Sequence, residues 1–155
     1  MQMRSILVAI DLSELSSRVL GYASSLALAW QARLLVVHVV YDLAYFTSIY
    51  HTDASLPALQ QRLEAEAYEH LEALCQSYID AQVSYETLVL TDRPVVAIHE
   101  LVRQHAVECL VLGAHSTDKM EHQLFGSTAE RLLHQISCPI FIIPPYKEST
   151  FISHG

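Results

Sequence analysis

Five short, nearly unbroken apolar runs, separated by longer amphipathic stretches, constrain this chain more than any other feature. The runs are "SILVAI" (residues 5–10), "RLLVVHVV" (Arg33–Val40), "VSYETLVL" (Val83–Leu90), "ECLVLGA" (Glu108–Ala114) and "PIFIIP" (Pro139–Pro144). Consecutive β-branched residues and leucines with little alternation are what strands buried on both faces require. The stretches between them read as helices. From Ser13 to Trp30, Val19, Ala23, Leu26, Ala27 and Trp30 share a face. From Ser55 to Ile79, Leu56, Leu59, Leu63, Ala67, Leu71, Leu74 and Tyr78 step by threes and fours. Pro94 suits the first turn of a helix to His105 carrying Val95, Ile98, Leu101 and Val102, and Ser127 to Ile136 forms the last helix. Strand and helix therefore alternate from end to end. Right-handed crossovers then give an α/β fold, a parallel sheet with helices on both faces. Ligands of such sheets bind beyond the carboxyl ends of the strands, where the strand order reverses. Asp11, Val40 and Gly113 end three of the strands and are candidates to meet there.

At 155 residues the chain fits one domain, taken as residues 1–146, with a loose tail over 147–155. Nine Lys and Arg against seventeen Asp and Glu leave a formal net charge of −8, which offers no basic surface for a nucleic acid. An anionic ligand stays open, because a helix N-terminus holds one with backbone N–H groups. Three cysteines, Cys75, Cys109 and Cys138, lie far apart with no C-x-x-C, which points away from a disulfide framework or a zinc site and towards a reducing compartment. The apolar run Ile6–Ile10 is too short for a signal-peptide core, and no stretch approaches the ~20 apolar residues of a membrane span. The expectation is a cytoplasmic domain with no membrane and no nucleic-acid partner. Nine histidines without H-E-x-x-H or paired Cys/His spacing indicate no metal site.

The stretch "LGAHSTDKMEHQLFGSTAERLL" (Leu112–Leu133) carries the chemistry. A glycine closes an apolar run, a polar loop follows, and Gly126-Ser127-Thr128 opens a helix. G-x-G-x-x-G is absent. A Walker A register from Gly113 puts Asp118 where the second glycine belongs, and its charge would repel phosphate. A G-x-S-x-G nucleophile elbow is absent as well. What remains is G-x2-S-x9-G-S: Gly113, Ala114, His115, Ser116, nine residues to Phe125, then Gly126 and Ser127.

This pattern resembles the G-x2-G-x9-G-[ST] of the universal stress protein (UspA-type) family, with Ser116 in place of the second glycine. "ILVAIDLSELSSRVL" resembles that family's first strand and helix, with Asp11 ending the strand and Ser13 opening the helix. "ECLVLGAHS" resembles its fourth strand and loop, and "GSTAERLLHQISCPIFIIP" its last helix and strand. The resemblance covers roughly Arg4 to Pro144. It implies a five-stranded parallel sheet of order 3-2-1-4-5, of the adenine-nucleotide alpha-hydrolase-like type, and usually a homodimer. It also implies two branches, one binding ATP in the glycine loop and one without nucleotide. Carried over, Ala9, Ile10 and Asp11 would contact the adenosine part, and Val39 and Val40 would line the adenine slot. Gly113, His115 and Ser116 would begin the phosphate loop, and Gly126, Ser127 and Thr128 would hold phosphate oxygens. The implied function is a stress-response regulator binding ATP or a related adenine nucleotide, with or without Mg²⁺. The alternative is a nucleotide-free dimeric signalling or interaction protein. Phosphoryl transfer needs charge stabilisation beyond Lys119, so slow hydrolysis is the most expected of it as an enzyme.

Other readings of the same residues are open. Ser127-Thr128-Ala129-Glu130 is also an S-x-x-E capping box, so the Ser127 hydroxyl can serve its own helix. Asp11 can be a polar residue near a helix start, Gly126 a turn glycine, and the tyrosines of 41–50 local packing. The last strand is apolar and uncharged and, in the implied order, lies at an edge. Such an edge tends to pair, which gives a homodimer through Ile140, Phe141, Ile142 and Ile143. No protein partner is readable.

Overall fold

In the computed structural model, residues 3–44, 55–114 and 127–145 are described. Five strands, β1 (Ser5–Ala9), β2 (Arg33–Val40), β3 (Tyr85–Thr91), β4 (Cys109–Gly113) and β5 (Ile140–Ile143), form one parallel sheet in the order β3-β2-β1-β4-β5. They alternate with α1 (Ser16–Trp30), α2 (Leu56–Tyr78), α3 (Pro94–Gln104) and α4 (Ser127–Gln135). Ile6 pairs with Leu34 on one side and Cys109 on the other, so β1 is central. The order reverses at β1, leaving a crevice above the carboxyl ends of β1, β2 and β4.

The lack of alternation in the strands follows from having a core on each side of the sheet. Ile6, Val8, Leu34, Val36 and Val111 pack with Val19, Leu20 and Ala23 of α1 and Leu71 and Cys75 of α2. Leu7, Leu35, Val37, Leu110 and Leu112 pack with Ile98, Leu101 and Val102 of α3 and Ala129 and Leu132 of α4. Successive residues of β1 thus serve different cores. Truncating a fully buried leucine such as Leu71 or Leu132 to alanine removes apolar contacts and leaves a void, with an expected cost of roughly 2–5 kcal/mol.

Three local readings change. Helix α1 starts at Ser16 rather than Ser13, because Asp11–Leu15 forms a turn with Leu12 in the left-handed region at φ 60°. The buried stripe of α2 is Ala67, Leu71 and Cys75, spaced by fours, while Leu59 (45% exposed) and Tyr78 (48%) face outward. Strand β3 starts at Tyr85 and is an edge strand with no fully buried residue. Its threonines are tied to α2: Thr91 Oγ1 donates to Glu64 Oε1 at 2.5 Å, and Thr87 Oγ1 donates to Glu72 Oε1. Cys75 and Cys109 are buried free thiols. Burial first, with the Glu72 charge second, pushes Cys75 up to about 12, and burial together with Cys138 pushes Cys109 to about 11. Both are thiols rather than thiolates at neutral pH, packing as small apolar groups. Among the described residues no helix is long and apolar enough to cross a membrane.

Candidate functional site

A cleft of about 790 Å³ opens where the strand order reverses. It is lined by Ala9, Ile10 and Asp11 beyond β1, Val39 and Val40 at the end of β2, Gly113 at the end of β4, and Ser127 and Thr128 at the start of α4. Eight of the eleven residues singled out in the sequence therefore share one cavity. The other three, His115, Ser116 and Gly126, lie outside the described residues. A smaller cavity of about 240 Å³ sits at the amino ends of β1–β3, beside Arg33, Glu86 and His105.

The turn leaving β1 is held from within. Asp11 Oδ1 accepts the Ser13 N–H at 2.9 Å and the Ser16 hydroxyl at 3.4 Å. The Ser13 hydroxyl accepts the Leu15 N–H at 3.3 Å. These bonds absorb donors that the start of α1 would otherwise leave bare. Asp11 therefore acts as a polar residue near a helix start while also facing the cleft. Leucine at a left-handed φ costs about 1–2 kcal/mol, and such local strain gathers at functional sites.

Gly113 has a packing reason to be glycine, apart from any role in a phosphate loop. It is the last residue of β4, and its φ is not positive. A Cβ there would lie 2.6 Å from Leu15 Cδ2 and 3.2 Å from Val19 Cγ2. The missing side chain lets the start of α1 approach the end of β4, which sets one wall of the cleft. Past the loop, α4 begins at Ser127 itself. Ser127 is exposed and its hydroxyl makes no hydrogen bond among the described residues, so the reciprocal Ser127–Glu130 box is not formed. Ser127, Thr128 and Ala129, the first residues of α4, line the cleft and so bring the positive end of its dipole to the rim.

Sequence reasoning missed His38. It lines the cleft, and its Nδ1 lies 2.7 Å from the Ile10 carbonyl oxygen. The available signal was a lone polar residue in the otherwise apolar "LLVVHVV". Beyond β2, Gln60 of α2 clasps the departing chain. Its Oε1 accepts the Leu43 N–H at 2.9 Å, and its Nε2 donates to the Tyr41 carbonyl at 3.3 Å. Tyr41 and Leu43 thereby join the rim.

A doubly wound sheet with a cleft at its switch point, rimmed by a helix N-terminus, defines an α/β domain of the adenine nucleotide alpha-hydrolase-like fold. The family model described as Universal stress protein family matches residues 3–144, and the chain belongs to that family. Universal stress protein A homolog 1 of Coxiella burnetii is 30% identical over 146 residues, 92% of this chain and 97% of that protein. Among solved structures, universal stress protein UspA from Lactobacillus plantarum superposes with a TM-score of 0.74 at 28% identity, covering 92% of this chain and 99% of the other. A universal stress protein in complex with cAMP superposes with a TM-score of 0.62 at 19% identity, covering 93% and 98%.

Proposed function

We propose that this chain binds an adenine nucleotide, ATP, in the cleft above β1, β2 and β4 and works as a regulatory stress-response dimer. The observation that carries the reading is the convergence of Asp11, Val39, Val40, Ser127 and Thr128 on one cavity. In this reading the valine end of β2 takes the base, Asp11 and its neighbours take the ribose side, and the start of α4 with Gly126, His115 and Ser116 takes the phosphates. The cAMP complex of a universal stress protein supports an adenine ligand for this fold. The described residues lining the cleft include no Lys or Arg. Phosphate charge then falls mainly to backbone N–H groups, which suits binding better than turnover. The same observation favours the second reading, a nucleotide-free dimer of the same family. Titration calorimetry with ATP, with and without Mg²⁺, separates them. Saturable micromolar binding supports the first reading, and no heat from folded protein overturns it.

The dimer is proposed through β5. Ile140 and Ile142 are half-buried, and Phe141 is 38% exposed with its ring 5.9 Å from that of Trp30, edge to face. Among the described residues the sheet ends at β5, leaving one side of an apolar strand without a partner strand there. A second copy pairing there would bury both. Light scattering at micromolar concentration is expected to give twice the 17.4 kDa chain mass. A monomeric mass counts against the interface.

A further inference from the structure

We infer that His38 is the positioning residue of this cleft, turning the Ile10–Asp11 peptide so that the Asp11 N–H meets the nucleotide. The inference rests on the nucleotide reading above. The ladder between β1 and β2 ends where Ile10 N–H donates to the Val37 carbonyl at 2.9 Å. The Ile10 carbonyl is then taken by a side chain, His38 Nδ1, at 2.7 Å. A carbonyl only accepts, so Nδ1 carries the proton. His38 alternates along β2 with Val37 and Val39, which serve the α3–α4 core, and so it leaves the sheet on the α1–α2 side with Val36. None of the described peptides is cis, and in a planar trans peptide the C=O and N–H point opposite ways. With the Ile10 oxygen drawn to His38, the Asp11 N–H is turned away from it. That N–H makes no hydrogen bond among the described residues.

Local preference does not hold this peptide. Leu12, two residues on from Ile10, is left-handed, a conformation leucine avoids. One oxygen of the Asp11 carboxylate is engaged with Ser13 and Ser16. An anchor from the neighbouring strand is what keeps the Ile10–Asp11 peptide in one orientation, and His38 supplies it from the cleft floor.

The test compares ATP affinity by calorimetry for wild type, His38→Asn, His38→Gln and His38→Leu, with a melting temperature for each. Asparagine carries an N–H close to the place of Nδ1 and is expected to stay within about threefold of wild type. Glutamine places its N–H near Nε2, and leucine has none. Both are expected to weaken ATP about tenfold, the scale of one lost hydrogen bond. A second readout is the Asp11 amide proton in NMR, which should move downfield on ATP saturation in wild type and His38→Asn but not in His38→Leu. A purely structural role would lower melting temperature without separating asparagine from glutamine in affinity. Wild-type affinity in folded His38→Gln or His38→Leu overturns the inference and leaves the nucleotide reading standing. No ATP binding by wild type overturns both.

Discussion

Gly113→Val is expected to destabilise the protein by roughly 2–3 kcal/mol, the upper range for overpacking a dense core. The position is extended, so backbone strain contributes nothing. The cost comes from space: even the first added carbon would sit 2.6 Å from Leu15 Cδ2 and 3.2 Å from Val19 Cγ2. Leu15 is buried and lines the cleft, so its escape route leads into the cavity. The substitution is therefore expected to shrink the site as well as weaken the fold. Urea denaturation measures the first effect. The pair Gly113→Ala and Leu15→Ala identifies its cause. Leu15→Ala alone leaves a void and Gly113→Ala alone overfills, so the double variant should be more stable than the two single costs added, by about 1 kcal/mol. Strict additivity would mean that the two residues do not share the space.

Gly126→Asp is expected to weaken ATP binding at least 100-fold while leaving stability within about 1 kcal/mol of wild type. Gly126 directly precedes α4, where aspartate is among the best N-capping residues. Its carboxylate would occupy the helix-end N–H groups proposed for the phosphates. A carboxylate and a phosphate about 4 Å apart repel by around 4 kcal/mol near a protein surface, which exceeds a hundredfold in affinity. The helix gains a cap as the site loses its anion. ATP titration beside thermal melting reads both effects. Unchanged affinity removes this loop from the phosphate site, and a collapsed melt means the glycine serves the fold instead.

Element sequence and the cleft-facing ends of β1, β2 and β4 were legible in the chain, because burial on both faces imposes unbroken apolar runs on "SILVAI" and "CLVLG", whereas the strand order came only from the family resemblance. Edges were less so. In β3, threonines satisfied by Glu64 and Glu72 stand among apolar residues, and hydropathy alone does not distinguish that from a buried strand. The start of α1 was misplaced because Asp11, Ser13 and Ser16 all have capping chemistry, and only a left-handed leucine decides which of them begins the helix. Gly113 was recognised as special for a ligand's sake, whereas its close neighbour is Leu15, a contact between elements that no spacing rule carries. His38 went unread because its partner is a carbonyl 28 positions earlier. Backbone partners leave no trace in a single sequence.

The central place of β1 also sets an order in time. β1 meets β2 only 28 positions along, Ile6 beside Leu34, but meets β4 103 positions along, Ile6 beside Cys109. The first pairing closes a short loop and the second a long one, and the longer closure costs more entropy before any contact rewards it. During synthesis one edge of β1 stays open until Cys109–Gly113 has been made. The β1–β2 wall of the cleft can form early, with the Ile10–His38 clasp in place, but the opposite wall waits for the last third of the chain. A completed cleft is therefore a report that the whole domain has folded.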